Sequence, residues 1–346
     1  MATTLQEAYK ENPINIQHIL PIDFHSIQQV PDSHLWPKIN NFQASLDEKN
    51  PNVPVIDLLA PNVVELIGHA CKTWGVFQVV NHGVCSKLLD EAESQARRLF
   101  ALPAEQKVRV LRSAGGATGY GAARITPFFS KFMWHEGFTV MGSPLDHARE
   151  LWPHDYQYFC DVMENYQKKM KALSCQLWLL ILKHLEASQE YLNSSELIGA
   201  LQLNSYPCCP NPNHAIGLAP HTDSLFLTIL HQTSNTKGLQ ILKNGHGWTS
   251  ISPVSDEALV VNVGDLLHIL SNGEFPTVYH RVLVNKTKHR VSLAYFFGPP
   301  ADSLVVPLIS SKDVGVVVPT YRSLTVKEYV SLKAKHLEKA FSFIRF

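Results

Sequence analysis

The chain has 346 residues, 45% of them hydrophobic and 17% charged, and its 30 basic and 30 acidic side chains cancel to zero formal charge. This composition excludes an intrinsically disordered chain. With no Lys/Arg stripe it also excludes nucleic acid and anionic membrane surfaces as partners, which leaves a small molecule as the expected ligand.

Residues 1–52 hold Pro13, Pro21, Pro31, Pro37 and Pro51 without sustained periodicity, and predict an irregular N-terminal arm with short helices. Its first stretch is polar and carries Glu7 and Glu11, so a secretory leader is not expected and a cytoplasmic address is. Residues 53–150 form the next unit. In it 63–74 reads as a helix, 76–80 as a buried strand, Asn81-His82-Gly83 as a turn, and 86–100 as an amphipathic helix capped by Ser86. The glycine-rich stretch 115–121 reads as a flexible connection; no Lys-Ser/Thr follows it, so a phosphate loop is not expected.

Within 151–200, apolar residues recur every three or four positions from Tyr156 to Leu180, which predicts one long helix bracing a sheet. Its longest apolar run, 177–182, is far short of the roughly 18 residues of a membrane span. Over 201–300 the period changes to two, in short runs at 225–231, 238–242, 259–263, 278–284 and 290–297 separated by Gly, Asn and Pro. Many short strands predict a closed antiparallel architecture without exposed edges, here a jelly roll, so the fold class is mixed α and β. In 301–346, Thr325 and Glu328 form a capping box that opens a last helix through about Phe341. The six cysteines contain no Cys-x-x-Cys pair and read as reduced thiols.

Among 17 histidines, only His184, His221 and His336 are followed two residues later by a carboxylate. On a helix such pairs diverge, whereas on an extended segment they share a face, so His221-Thr222-Asp223 is the pair able to hold an ion. His280, on a strand before a turn at 285–288, is the best third ligand. Two His and one carboxylate leave three octahedral positions open, as in non-haem Fe(II) oxygenases; zinc is more usually four-coordinate. The alternative is a loop histidine beside a capping Asp. Ten residues on, Arg290 and Ser292 face one side of a strand and suit an incoming carboxylate, although an isolated Arg can equally reach a surface Glu. Asn204 and Tyr206, also two apart, could offer a hydroxyl to a second carboxylate.

Together, His221-x-Asp223, His280, Arg290-x-Ser292 and Asn204-Ser205-Tyr206-Pro207 resemble the signature of the plant 2-oxoglutarate and Fe(II)-dependent dioxygenases. The stretches 54–58 and 74–83 resemble their N-terminal signatures. More finely, 133–139, 142–147, 150–153, 201–206 and 217–224 are similar to the gibberellin 3-beta-dioxygenase subfamily, with His135 standing where Ser or Tyr is expected. The resemblance implies hydroxylation of the precursors GA9 and GA20 to GA4 and GA1, with O2 and 2-oxoglutarate consumed and succinate and CO2 released. It implies Fe(II) held by His221, Asp223 and His280, and 2-oxoglutarate held by Arg290, Ser292, Tyr206 and Asn204. Ascorbate is the implied reductant, and no protein acid or base is required.

A rigid apolar substrate with a carboxylate calls for an apolar wall and a cation. Arg124, Ile125, Phe128, Phe129, Met133 and Trp134 supply that combination, downstream of a glycine hinge that could close over the barrel mouth. Arg124 is then the carboxylate partner; the alternative packs these aromatics against the long helix with Arg124 solvated. Arg281 is turned away because its neighbour His280 faces inward. Three rival readings are a gibberellin oxidase attacking another carbon, an oxidase of the same fold that bypasses 2-oxoglutarate, and a non-catalytic hormone-binding jelly roll.

Overall fold

Alternation of side chains along the strands decides which residues face the ligand and which face the helices. The computed structural model describes residues 5–39, 53–187, 196–232, 236–243, 247–309 and 318–346. In chain order come α1 (Leu5–Lys10), β1 (Val55–Asp57), α2 (Val63–Thr73), β2 (Val76–Val80), α3 (Ser86–Phe100), α4 (Ala104–Lys107), β3 (Gly119–Gly121), β4 (Glu136–Val140), α5 (Leu145–Leu151) and α6 (Gln157–His184). Then follow β5 (Ile198–Tyr206), β6 (Ile216–His221), β7 (Leu227–Gln232), β8 (Leu239–Lys243), β9 (Gly247–Ser250), β10 (Leu259–Val263), α7 (Asp265–Leu270), β11 (His280–Leu283), β12 (Arg290–Gly298), β13 (Leu304–Val305), β14 (Leu324–Thr325) and α8 (Val326–His336). Of the arm expected over 1–52, residues 1–4 and 40–52 lie outside the described residues, as do 188–195 at the end of the bracing segment and 310–317 in the C-terminal extension.

One eight-stranded sheet runs β1-β2-β10-β7-β12-β5-β4-β3 and a four-stranded sheet runs β6-β11-β8-β9, the jelly-roll arrangement. The order crosses the boundaries read at 150 and 200, since β1 to β4 pair into the same sheet as the later strands. On β12, Val291, Leu293, Tyr295 and Phe297 join Leu203, Ile229 and Val261 in the large core under α2, α3 and α6. The alternate positions turn inward: Ala294, Leu230, Val260 and Tyr206 pack with Leu239, Ile241 and Val282 of the second sheet. Arg290 and Ser292 share the parity of Ala294 and so face this interior. The brace is tight, with Trp178 of α6 stacked at 4.4 Å on Phe226; full burial of such side chains stabilises by about 1.5–3 kcal/mol each.

Several expectations change in detail. The N-cap of α3 is Cys85, in extended conformation and without a side-chain cap bond, so Ser86 is the first helical residue and not the cap. Within the stretch read as a flexible connection, Gly119–Gly121 is a buried strand paired with β4. A Cβ on Gly119, at φ +108°, would lie 2.6 Å from the Val110 carbonyl, so glycine serves close backbone approach there. The helix α7 has no counterpart in the sequence reading because six residues are too few to show a period. Thr325 does cap α8, its hydroxyl accepting from the Glu328 N–H.

Candidate active site

Strand register brings the proposed metal ligands together. His221, the last residue of β6, lies directly opposite His280, the first of β11, with ring centroids 4.2 Å apart. Asp223 Oδ1 is 3.8 Å from His221 Nε2 and 3.9 Å from His280 Nε2. Each Nδ1 faces a carbonyl two residues back on its own chain, Ala219 at 2.9 Å and Val278 at 3.2 Å. A carbonyl only accepts, so Nδ1 carries the proton and both Nε2 lone pairs point at the common centre. Burial, with His280 beside it, pulls His221 well below the ordinary imidazole range and keeps it neutral. Burial alone would raise Asp223, but the two imidazoles and a bond donated by the Asn262 amide outweigh it and hold the carboxyl ionised. Two imidazole nitrogens and a carboxylate oxygen on one face form a donor set that fits Fe(II). The other two His-carboxylate pairs do not form such a group among the described residues: His184 packs on Phe275 and His336 stacks on Phe343.

The turn between the ligands is anchored from far along the chain. Lys333 of α8, buried, donates to the Thr222 carbonyl at 2.9 Å and also meets the Thr222 hydroxyl and Asp265 Oδ2. Asp265, fully buried at the start of α7, also accepts from Tyr329 and Thr277, both at 2.8 Å, and its N–H donates to the Asp223 carbonyl. Sequence reasoning missed this cluster, since its members are scattered over more than a hundred positions.

The second group is equally a product of register. Arg290 stands opposite Tyr206 and Ser292 opposite Asn204, so two motifs read separately meet on one inward face. Arg290 gives Nη1 to the Ser292 hydroxyl at 3.2 Å and Nη2 to Gln232 Oε1 at 2.9 Å, and lies 5.1 Å over the Tyr206 ring. Its Nε has no partner, and it makes no ion pair among the described residues, which leaves a buried cation suited to an incoming carboxylate. Burial raises Tyr206 to about 12 against the pull of Arg290, so its hydroxyl keeps its proton and can donate. Gln232 escaped the sequence reading, although it sits opposite Ser292. Asn204 faces the same space with its Oδ1 3.0 Å from His135 Nε2. Burial draws His135 down to about 4, so it is neutral.

Both groups open into one cavity of about 640 Å³ between the sheets. Of the segment expected to cover the substrate, Arg124, Ile125 and Phe128 line it. Phe129, Met133 and Trp134 do not. Phe129 packs on Trp36, Met133 is buried with Ile216 and Ala219, and Trp134 is fixed by Phe24 and by its N–H to the Pro207 carbonyl. Both terminal regions also cover the cavity: Tyr9, Pro13 and Ile14 of the arm and Val330, Lys333 and Leu337 of the C-terminal region line it. Arg124 is not solvated as in the alternative; it is half-buried against the Tyr9 ring at 3.6 Å. Arg281 turns away as expected, to Gln240 at 2.9 Å and the Trp248 ring at 4.1 Å.

Comparison with known proteins places this geometry. Residues 198–299 match the 2OG-Fe(II) oxygenase superfamily, and residues 53–156 match the family described as non-haem dioxygenase in morphine synthesis N-terminal. The chain is 48% identical to gibberellin 3-beta-dioxygenase 1 of Pisum sativum over 99% of its own length and 94% of the relative's. It is 44% identical to gibberellin 3-beta-dioxygenase 2 of Arabidopsis thaliana over the whole of both chains. Among solved structures it is similar to JOX2 in complex with 2OG, Fe and JA, at a TM-score of 0.76 and 30% identity, covering 89% of this chain and 92% of that one.

Proposed function

The chain belongs to the 2OG-Fe(II) oxygenase superfamily and, within it, to the gibberellin 3-beta-dioxygenases, and on that premise we propose how its cavity carries out gibberellin 3-beta-hydroxylation. Fe(II) and 2-oxoglutarate are the cofactor and cosubstrate of this family. Bound together they would activate O2, the oxidant: one oxygen atom enters the C–H bond as the hydroxyl and the other enters the succinate formed as 2-oxoglutarate loses CO2. His221, Asp223 and His280 hold the metal. Arg290, Ser292 and the protonated Tyr206 bind the cosubstrate's carboxylates, and Asn204, steadied by His135, borders it.

The remaining work of the chain is orientation. Arg124, Ile125 and Phe128, with the inward apolar residues of both sheets, present one C–H bond of the gibberellin and exclude water; a shift of about 1 Å costs much of the rate or changes the carbon attacked. GA9 and GA20 are the proposed precursors, GA4 and GA1 the products. Ascorbate as reductant and a cytoplasmic site of action belong to the same reading; six free cysteines suit a reducing compartment.

The observation that carries the reading is the meeting of the His-Asp-His group and the unpaired Arg290 in one largely apolar cavity. Incubation with Fe(II), 2-oxoglutarate, ascorbate and O2, with GA9 or GA20, followed by mass spectrometry, is expected to give the 3-beta-hydroxylated product and one succinate per product. Hydroxylation at another carbon, or product without succinate, overturns it.

A further inference from the structure

The cavity has a second cationic end that neither the metal nor the cosubstrate uses. Arg112 and Arg124 both line it. Arg112, 4% exposed, donates from Nη2 to the Ala122 carbonyl at 2.7 Å, and its Nε has no partner. Arg124 donates to the Gly116 carbonyl and lies over Tyr9. Neither forms an ion pair with a carboxylate among the described residues; the charged neighbour that Arg112 feels is Arg124 itself. Burial, and then Arg124, draw Arg112 down to about 10, which leaves it charged at neutral pH. Two like charges withdrawn from water are costly unless an anion offsets them.

Register locates this end. Ser292 lies opposite Asn204, Asn204 opposite Gly137, and Gly137 opposite Gly121. A Cβ built on Gly121 would be 3.6 Å from Arg112 Nη2. At ~4.8 Å per strand the row puts the Arg112 end about 14 Å from Ser292, beyond the reach of a five-carbon diacid gripped by Arg290. A rigid multi-ring acid extending from the metal can span that gap.

We propose that Arg112 and Arg124 form a two-guanidinium subsite for the carboxylate of the hydroxylated substrate, with Arg112 the residue that selects free acids over neutral analogues. The inference rests on the reading of the cavity as the gibberellin site and extends it to the chemistry of recognition. Guanidinium forks match carboxylates bidentately.

The test is binding to the full chain loaded with Mn(II) and 2-oxoglutarate, where no turnover occurs, by calorimetry with GA9 and its methyl ester. Wild type is expected to prefer the free acid, and Arg112→Gln to lose about ten- to hundredfold in affinity for it while the ester changes less than twofold. Arg112→Lys should retain part of the preference, and 2-oxoglutarate affinity, read on the same samples, should stay within twofold as proof of an intact site. An unaltered acid preference in both Arg112→Gln and Arg124→Ala overturns the proposal. If wild type binds neither gibberellin form, the gibberellin reading falls and the subsite is judged by thermal shift with adamantane-1-carboxylate and its methyl ester. Stabilisation by the acid in wild type but not in Arg112→Gln then supports the subsite, and equal responses reject it.

Discussion

Lys333→Met is the most informative single change outside the ligands, because it removes one charge of a buried pair while keeping most of the side-chain volume. Asp265, 0% exposed, would lose its counter-ion and keep three hydroxyl donors, Tyr329, Thr277 and Thr222. Stranding a buried charge costs about 3–5 kcal/mol, and with those donors retained the lower end is expected. Unfolding entropy of about 2.1 cal/mol/K per residue over 346 residues converts about 3 kcal/mol into a fall in Tm of roughly 4 °C, for a chain that unfolds as one unit. Because Lys333 also holds the Thr222 carbonyl between the two ligands, Mn(II) affinity should drop together with Tm. Calorimetric melting and Mn(II) titration of Lys333→Met, Asp265→Asn and the double variant check both effects. The double variant should lose less than the sum of the singles, since neither charge is then stranded. Strict additivity, or a Lys333→Met protein with unaltered melting and metal affinity, refutes the reasoning.

His221→Ala, Asp223→Ala and His280→Ala are each expected to abolish turnover and Mn(II) binding with near-native circular dichroism, and Asp223→Glu to be impaired because a longer carboxylate displaces the ion. Arg290→Lys should weaken 2-oxoglutarate binding strongly and gibberellin binding little, since an ammonium cannot reproduce the fork; Ser292→Ala should cost about 1–2 kcal/mol of cosubstrate affinity, read by calorimetry. Burial holds His34, His135, His231 and His289 at about 4 in the folded chain, against 6.5 when exposed. Between those values the unfolded state binds more protons, so stability is full above about pH 6.5, falls as pH drops toward 4, and loses nothing further from these groups below it. Melting curves across that window check this, and His231→Leu should flatten the slope.

Features that depend on neighbours along the chain are legible in the amino-acid sequence alone. The three-and-four spacing of α6, the alternation in β12 and the two-residue spacing of His221 with Asp223 and of Arg290 with Ser292 are local, so the sequence places each pair on one face. Register lies outside such reasoning: that Arg290 stands opposite Tyr206 and His221 opposite His280 follows from how distant strands pair. The segment 124–134 shows the limit most plainly. Its large side chains are mostly apolar or aromatic, and apolarity is the same whether a side chain lines a cavity or fills a core. Trp134 went to the core because Phe24 and the Pro207 carbonyl arrive from elsewhere, whereas Ile125 and Phe128 stayed at the cavity. Lys333 meets Thr222 across 111 positions, and Arg112 carries no motif at all. A buried charge takes its meaning from what surrounds it in space, and chain folding alone brings those surroundings together.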